Sequence, residues 1–292
     1  MYQQPTNERG HFMTLVTTKE MLKDAHTNHY AIGAFGAHNL EIIKSVIAGA
    51  ESVGSPVILQ TTSSTYKYVE MPYMIAMAKA AAEQAKIPVA LHLDHGESFD
   101  VVMECLRAGY TSIMIDGSKL SLEDNIALVR KVTDAAGPIG VPVEAELGTI
   151  GGVEDDFVVE ESEAFFTDPE AAERFVRETG IDSFAPAFGT AHGNYKKEPK
   201  LQFDLLGKIQ KLTNIPLVMH GASGVPEESV RKSLDYGVAK VNFSTELKDL
   251  FAEEVRAFFQ DNPNENDPRK YFIPAREALI ELVKRKIMML QK

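Results

Sequence analysis

The chain has 292 residues, of which 44% are hydrophobic and 25% are charged, and its formal net charge at pH 7 is -12. This length and balance predict one large globular domain with a substantial core. The acidic charge argues against partners such as nucleic acid or a membrane surface, because both attract a clustered basic face.

The apolar runs, the first residues and the single cysteine narrow the class of protein further. No run approaches the roughly 18 apolar residues of a membrane-spanning helix. The first twelve residues are polar, so we expect a flexible tail over residues 1–12 and a single domain over residues 13–292. Cys105 permits no internal disulfide, which is typical of a protein of the reducing cytoplasm.

One pattern repeats from residue 17 onward: an apolar run, a polar turn and an amphipathic helix. Strands are predicted at residues 30–35, 56–61, 88–94, 111–116, 141–146, 183–187, 215–219 and 239–243. Helices are predicted at residues 18–26, 40–50, 74–85, 99–108, 122–136, 168–179, 203–212, 226–236 and 245–259, with a last helix beyond residue 267. A turn is predicted at residues 62–65, and long loops are predicted at residues 148–167 and 188–201.

Eight strands that alternate with helices predict an α/β protein, specifically a closed (β/α)8 TIM barrel. The alternative is an open, doubly wound sheet. Such a sheet is expected to carry a GxGxxG sequence near its first turn, and the chain has none there.

Polar residues follow the predicted strands at their carboxyl ends, which in a barrel meet at one mouth. They are Asp94 and His95, Asp116, Glu144 and Glu146, His192, His220, Asn242 and Ser244. Three imidazoles with an open fourth position are a ligand set of catalytic zinc, so His95, His192 and His220 predict a metal site. His92 lies within its strand, and we expect it in the core or behind a metal ligand.

Two glycine- and hydroxyl-containing turns open helices after the last two strands, in the segments 220–224 and 242–246. Barrels often bind phosphate there, through backbone N–H groups and a helix amino-terminus. The long loop at 148–167 offers a different group, the carboxylate of Glu154 beside a Gly-Gly pair, and a mobile loop of this kind can deliver an acid or base.

Five motifs carry a resemblance to a known family: HLDHG at 92–96, MIDGS at 114–118, VEAELGTIGGVEDD at 143–156, GTAHGNY at 189–195 and HGASG at 220–224. Together they resemble the class II, metal-dependent ketose-bisphosphate aldolases, in order from about residue 14 to the end. STELK at 244–248 and the last two motifs look most similar to the tagatose-bisphosphate branch.

The resemblance implies a zinc-dependent lyase that splits tagatose or fructose 1,6-bisphosphate into dihydroxyacetone phosphate and glyceraldehyde 3-phosphate. It implies zinc on His95, His192 and His220, with Asp116 and Glu146 available to a second ion. Asp94 would move the C4 hydroxyl proton, and Glu154 would exchange the C1 proton of dihydroxyacetone phosphate.

The remaining roles that the resemblance implies concern phosphate, a further cation and assembly. Lys248 and Arg269 would reach the far phosphate, Arg269 across a subunit interface of a homodimer or homotetramer. Some members also place a monovalent cation near the phosphate turns. Those turns match Gly193, Gly221, Ala222, Ser223, Asn242, Phe243, Ser244 and Thr245.

Two positions depart from the family pattern. Gly36 stands where most members have Asn, and Ser244 stands where fructose-type members often have Asp, so the preferred sugar stays open. Three other functions stay open as well: an aldolase for another phosphorylated ketose, a Schiff-base mechanism on Lys240, and a non-catalytic aldolase subunit.

Overall fold

The computed structural model of the chain describes residues 15–154, 157–159, 165–193, 195 and 198–291, and at 153, 154 and 157–159 it describes the backbone alone. The tail predicted over residues 1–12 lies outside these residues.

Eight parallel strands close into a barrel, and this confirms the predicted (β/α)8 fold. The strands are β1 (Ile32–Gly36), β2 (Val57–Thr61), β3 (Val89–Gly96), β4 (Ser112–Ile115), β5 (Val143–Leu147), β8 (Ser183–Pro186), β10 (Leu217–Met219) and β11 (Val238–Phe243). Around the barrel their order is β1-β11-β10-β8-β5-β4-β3-β2. Each predicted strand agrees with the observed one to within two residues at either end.

Helices surround the barrel. They are α1 (Lys19–Asn28), α2 (Leu40–Ser52), α3 (Ser63–Val69), α4 (Met71–Gln84), α5 (Phe99–Ala108), α6 (Leu122–Ala136), α7 (Pro169–Thr179), α8 (Phe203–Thr213), α9 (Glu227–Leu234), α10 (Thr245–Asp261), α11 (Pro268–Tyr271) and α12 (Ile273–Leu290). A short 3₁₀ turn, Gly137–Ile139, follows α6. None of the helices within the described ranges is both long enough and apolar enough to cross a membrane.

Local chemistry sets where several helices begin and end. The side chains of Asn39, Ser98 and Asp168 each accept a hydrogen bond from a backbone N–H in the first turn of the helix that follows. Gly109 and Gly180 end α5 and α7 in the left-handed conformation that glycine adopts without steric cost. These caps fix the lengths of the connections that lead back to the barrel.

Three of the predicted connections contain regular structure that the sequence did not reveal. The segment predicted as a turn at 62–65 instead begins α3, because the Thr62 hydroxyl accepts from the Thr65 N–H and caps a helix. The long loops at 148–167 and 188–201 contribute β6 (Gly151–Glu154), β7 (Phe157–Val159) and β9 (Ala191–His192). These three short strands form a second sheet in the order β7-β6-β9.

The barrel interior is apolar at one end and polar at the other. A cluster that includes Met21, Leu22 and Ala25 of α1 packs with Ile32 and Ala239 and fills the amino-terminal end of the barrel. The inward-facing side chains nearer the carboxyl end are polar, and this places a candidate site at the mouth of the barrel, where enzymes of this fold carry their chemistry.

Candidate active site and metal centre

The carboxyl end of β3 carries two adjacent ionisable residues, Asp94 and His95, and both are buried. The backbone φ of His95 is +46°, in the left-handed region that residues other than glycine rarely adopt. One carboxylate oxygen of Asp94 accepts a hydrogen bond from Nδ2 of Asn242 on β11 at 3.3 Å. The strained turn therefore lies at the mouth, where strain of this kind is often part of a functional site.

Three histidine rings meet beside this turn. The ring centroid of His95 lies 4.9 Å from that of His192 and 4.8 Å from that of His220, and those of His192 and His220 are 5.8 Å apart. One ring nitrogen from each residue falls within 4.8 Å of the other two. The structure therefore brings together the three histidines that the sequence predicted, although His192 reaches the group from β9 rather than from a barrel strand.

Two of these histidines are held from behind by carboxylates. His95 Nδ1 lies 2.8 Å from Asp116 Oδ2, and His220 Nε2 lies 2.9 Å from Glu144 Oε1. Metal-binding histidines commonly give their other ring nitrogen to such a partner, which fixes the tautomer and the ring orientation.

The nitrogens that remain face each other, since His95 Nε2 and His220 Nδ1 are 3.1 Å apart. In a tetrahedral zinc site with bonds of about 2.0–2.1 Å, two ligand nitrogens stand about 3.3 Å apart. The residues present therefore fit a divalent metal: imidazole nitrogens converge, and carboxylates behind them compensate a positive charge.

A second potential ligand group shares one residue with the first. His95, Asp116 and Glu146 also offer ligand atoms within 4.8 Å of one another. Oε2 of Glu146 is buried and has no hydrogen-bond partner among the described residues. Burial, and after it the charge of Asp116, raises the pKa of Glu146 well above its usual range. A nearby cation would satisfy that oxygen, and the second ion position stays a prediction.

The barrel interior below the histidines contains a buried ion pair. Lys240 Nζ lies 3.0 Å and 2.8 Å from the two carboxylate oxygens of Glu144, and 3.2 Å from His92 Nε2. His92 Nδ1 contacts the hydroxyl of Ser112, which in turn accepts from Thr18. His92 is therefore a buried residue of the barrel interior, which is one of the two positions expected for it.

The charges in this network explain two opposite pKa shifts. Burial opposes ionisation of Glu144, but the Lys240 ammonium and then His92 outweigh it and hold the pKa of Glu144 well below its usual range. Burial and then the charge of Lys240 lower the pKa of His92, so its ring is neutral. Lys240 is fully buried, and its amine is engaged with both carboxylate oxygens of Glu144 and with His92 Nε2. This placement disfavours the Schiff-base mechanism.

The turn after β10 approaches the segment that carries His192. The Tyr195 hydroxyl accepts from the Ala191 N–H and donates to the Gly221 carbonyl, both at 2.7 Å. Gly221 has φ +63°, and a Cβ there would collide with the Ala191 carbonyl. Glycine at 221 thus allows two backbones to meet beside the histidines.

The amino-terminus of α10 opens at the same mouth. Ser244 precedes the helix and is buried, and its side chain makes no capping hydrogen bond to the helix backbone. The N–H groups of Leu247 and Lys248 bond to the Ser244 carbonyl, whereas no such bond is present for Thr245 and Glu246 in the described structure. Free N–H groups at a helix amino-terminus attract anions.

Other predicted substrate residues occupy varied environments. The side chains of Ala222 and Phe243 are buried in the hydrophobic core, and Phe243 stacks on Phe35 with ring centroids 5.4 Å apart, so only their backbones can face a ligand. Ser223 is buried in the turn, whereas Thr245 and Gly193 are partly exposed.

The two basic residues predicted to reach the far phosphate, Lys248 and Arg269, lie on α10 and α11. Lys248 is half-buried. The Arg269 side chain is 89% exposed, and its guanidinium contacts both carboxylate oxygens of Asp267, with Nη2 to Oδ2 at 2.9 Å. Within one chain Arg269 is therefore engaged with Asp267. The side chain of Glu154 lies outside what the structure describes, although its backbone belongs to β6.

Some contacts were not predicted from the sequence. The bond between Asn242 and Asp94 joins residues 148 positions apart, and Tyr195 was not singled out at all. Glu144 was among the polar residues named from the sequence, and the two-residue period of a strand puts it on the same inward face as Glu146. No short-range signal in the sequence identifies the bond between Asn242 and Asp94 or the contacts of Tyr195.

Comparison with known proteins gives a family match and structural neighbours. Residues 16–292 match the family model described as fructose-bisphosphate aldolase class-II. The YdjI aldolase from Escherichia coli K12 is 32% identical, with a TM-score of 0.83 over 94% of this chain and 97% of that chain. A fructose-bisphosphate aldolase from Campylobacter jejuni is 25% identical, with a TM-score of 0.78 over 96% of this chain and 97% of that chain.

Proposed function

The chain belongs to the class II fructose-bisphosphate aldolase family, and we propose that it is a zinc-dependent enzyme that reversibly cleaves a ketose 1,6-bisphosphate. The proposed substrates are tagatose and fructose 1,6-bisphosphate, and the products are dihydroxyacetone phosphate and glyceraldehyde 3-phosphate. One observation carries the proposal: His95, His192 and His220 converge beside the buried carboxylate of Asp94.

The proposed ligands of the metal are these three histidines, with Asp116 and Glu146 near a second position. A bound zinc ion would act as a Lewis acid on the ketose carbonyl and offset the negative charge that develops during cleavage. The carboxylates of Asp116 and Glu144 hold the far nitrogens of His95 and His220.

Asp94 is the proposed general base of cleavage. It removes the proton of the C4 hydroxyl, the C3–C4 bond breaks, and an aldehyde forms at C4 while the electron pair stays on the three-carbon fragment that keeps the ketone. Asn242 contacts one oxygen of Asp94 at 3.3 Å and so restrains the carboxylate beside the histidines. Glu154 is proposed to protonate the three-carbon fragment and thus complete dihydroxyacetone phosphate.

The phosphate is proposed to bind between the turn at Gly193, Gly221 and Ser223 and the first residues of α10. The N–H groups of Thr245 and Glu246 and the Ser244 hydroxyl support this assignment. Lys248 and Arg269 stay candidates for the far phosphate, Arg269 from a neighbouring subunit of a homodimer or homotetramer. A monovalent cation near the phosphate completes the proposal.

A substrate panel tests this function. Purified enzyme with added zinc is given fructose, tagatose and other phosphorylated ketoses, and triose phosphate release is measured in a coupled assay. We expect cleavage of at least one ketose 1,6-bisphosphate and its loss with a chelator. Release from other phosphorylated ketoses alone would replace the substrate assignment, and release from none would overturn the proposed function.

Metal content tests the ligand set separately from catalysis. His192→Ala is expected to lose stoichiometric zinc on dialysis. His29→Asn is the matched control, because His29 is exposed and ends α1 in the left-handed conformation that asparagine tolerates. Full zinc retention by His192→Ala would remove that residue from the ligand set.

A further inference from the structure

The space above Gly36, the last residue of β1, is filled by the side chain of His38. A Cβ built on Gly36 would lie 2.7 Å from His38 Nε2 and 2.9 Å from Ser244 Oγ. Cβ atoms in folded proteins essentially never lie so close to a non-bonded atom. Glycine at 36 is thus what permits His38 and Ser244 to meet.

The two ring nitrogens of His38 bridge two different parts of the mouth. Nδ1 lies 3.0 Å from the Thr65 hydroxyl in the first turn of α3, and Nε2 lies 3.4 Å from the Ser244 hydroxyl before α10. Thr65 and Ser244 are buried, with 6% exposure each. The imidazole therefore joins the α3 side of the mouth to the amino-terminus of α10.

One arrangement of protons satisfies this chain of contacts. Thr62 Oγ1 accepts from the Thr65 N–H and lies 3.2 Å from Thr65 Oγ1, to which it can donate its own proton. If the Thr65 hydroxyl then donates to His38 Nδ1, the proton of the ring is on Nε2 and is donated to Ser244 Oγ. The Ser244 hydroxyl has its own proton left for a further acceptor.

That further acceptor would lie at the mouth. Ser244 is two residues beyond Asn242, which contacts both Asp94 and His220. Because an extended chain advances about 3.3 Å per residue, Ser244 stands about 7 Å along the chain from Asn242. The N–H groups of Thr245 and Glu246 open beside it. The acceptor that fits several donors at a helix amino-terminus is an anion.

We infer that His38 is a positioning residue of the substrate phosphate site: it turns the Ser244 hydroxyl so that its proton points at the phosphate ester of the substrate. This inference rests on the proposed function for the identity of the ester. It also joins the two departures from the family pattern into one unit, since Gly36 makes room for the ring and Ser244 receives its hydrogen bond.

A double-mutant cycle on phosphate ester binding tests the inference. The zinc-loaded enzyme is titrated calorimetrically with dihydroxyacetone phosphate, using wild type, His38→Ala, Ser244→Ala and the double variant. We expect each single change to weaken binding by about tenfold. In the Ser244→Ala background, His38→Ala should weaken binding by less than twofold, because its effect passes through the serine hydroxyl.

A pair of glycine substitutions supplies an independent arm. Gly36→Ala should displace the ring and reproduce the weakening caused by His38→Ala. Gly137→Ala is the matched control, because nothing lies within 4 Å of its added Cβ and its φ is -55°, so binding should stay within twofold of wild type. Zinc content and melting temperature, measured on every variant, identify any that lost the metal or the fold.

Three results would overturn the inference: unchanged binding in His38→Ala, equal effects of His38→Ala in both backgrounds, or tight binding by Gly36→Ala. The double-mutant cycle measures only the affinity for the phosphate ester, and the rate of cleavage is measured separately. A wild type that binds the ester with this coupling but cleaves no ketose bisphosphate would refute the proposed function and leave the role of His38 standing. Cleavage without the coupling would refute the role of His38 alone.

Discussion

Glu144 accepts a hydrogen bond from His220 Nε2 at 2.9 Å while both of its oxygens contact the ammonium of Lys240. One carboxylate therefore serves two partners, a histidine at the mouth and a lysine in the barrel interior. Neither Glu144 nor Lys240 has appreciable exposure, so solvent does not screen their interaction.

Lys240→Met is expected to destabilise the protein by about 3–5 kcal/mol, because it leaves a buried carboxylate without its counter-charge. Chemical denaturation measures the change. Addition of Glu144→Leu to Lys240→Met should recover part of the stability, since the second change removes the uncompensated charge. A double variant that is less stable than Lys240→Met alone would contradict this account of the ion pair.

The same double variant, Lys240→Met with Glu144→Leu, should bind zinc about 10- to 100-fold more weakly, because His220 loses the group that orients it. Competition with a chromophoric chelator measures the affinity. Glu123→Gln is the control, since Glu123 forms an exposed ion pair with Arg174 on the outer helices. Residual cleavage by a variant without Lys240 would also exclude a Schiff base there.

Asp94→Asn should lower the cleavage rate by about 10²- to 10⁴-fold, the range for loss of a general base. The amide keeps the size of the side chain but cannot take the C4 hydroxyl proton. Zinc content should stay at the wild-type level, because Asp94 is not among the proposed ligands. If the variant cleaves at nearly the wild-type rate, another group moves the proton.

Gly152→Ala should weaken zinc binding although residue 152 lies outside the ligand set. Gly152 pairs with His192 between β6 and β9, and its φ is +110°. An added Cβ would stand 2.7 Å from the His192 backbone nitrogen, so the ligand must shift. Gly137→Ala serves as the control here too. Equal zinc affinity in the two variants would show that β6 does not position His192.

Cys105 makes stability depend on pH in the alkaline range. Burial, with a smaller effect of Glu104, raises the pKa of its thiol from 9.0 to about 12. The stability that the neutral thiol contributes is therefore complete below pH 9 and is lost as pH rises toward 12. At pH 10.5 this loss is about 2 kcal/mol, because the unfolded thiol is then largely ionised while the folded one is not.

Denaturation of wild type and Cys105→Ala at pH 7.5 and pH 10.5 measures this effect. The difference in free energy of unfolding between the two proteins should change by that amount, with wild type losing more. Burial also raises the pKa values of Tyr66 and Tyr110, and the comparison cancels that part, whereas the smaller effect of the Cys105 charge on the two phenols stays in the difference. An unchanged difference would mean that the thiol ionises equally in both states.

The barrel was predictable from the sequence because its signals are local. Each strand is a short apolar run between a helix end and a polar turn, and this pattern needs no knowledge of distant residues. The convergence of His95 and His220 followed from the fold alone, since both end barrel strands. The confirmed features thus depend on periodicity and on one general property of barrels.

The features that were not predicted from the sequence depend on contacts between distant segments or on a local helix cap. The strand that carries His192 has two residues and exists only because β6 pairs with it. The helix at Ser63–Val69 was predicted as a turn because its hydroxyl-rich start is equally typical of loops. The contact of His38 with Ser244 spans 206 positions, and only the folded chain shows that an absent side chain at 36 allows it.

The pairing of β6 with β9 limits how the loops at the mouth of this barrel can be redesigned. Loops at the mouth of a barrel are usually treated as exchangeable parts that sit on an inert scaffold. Here the hairpin that leads to Glu154 also holds the backbone of His192. A graft that replaces the hairpin to change the substrate would also remove the support of a ligand, so recombination must transfer residues 148–167 and 188–201 together.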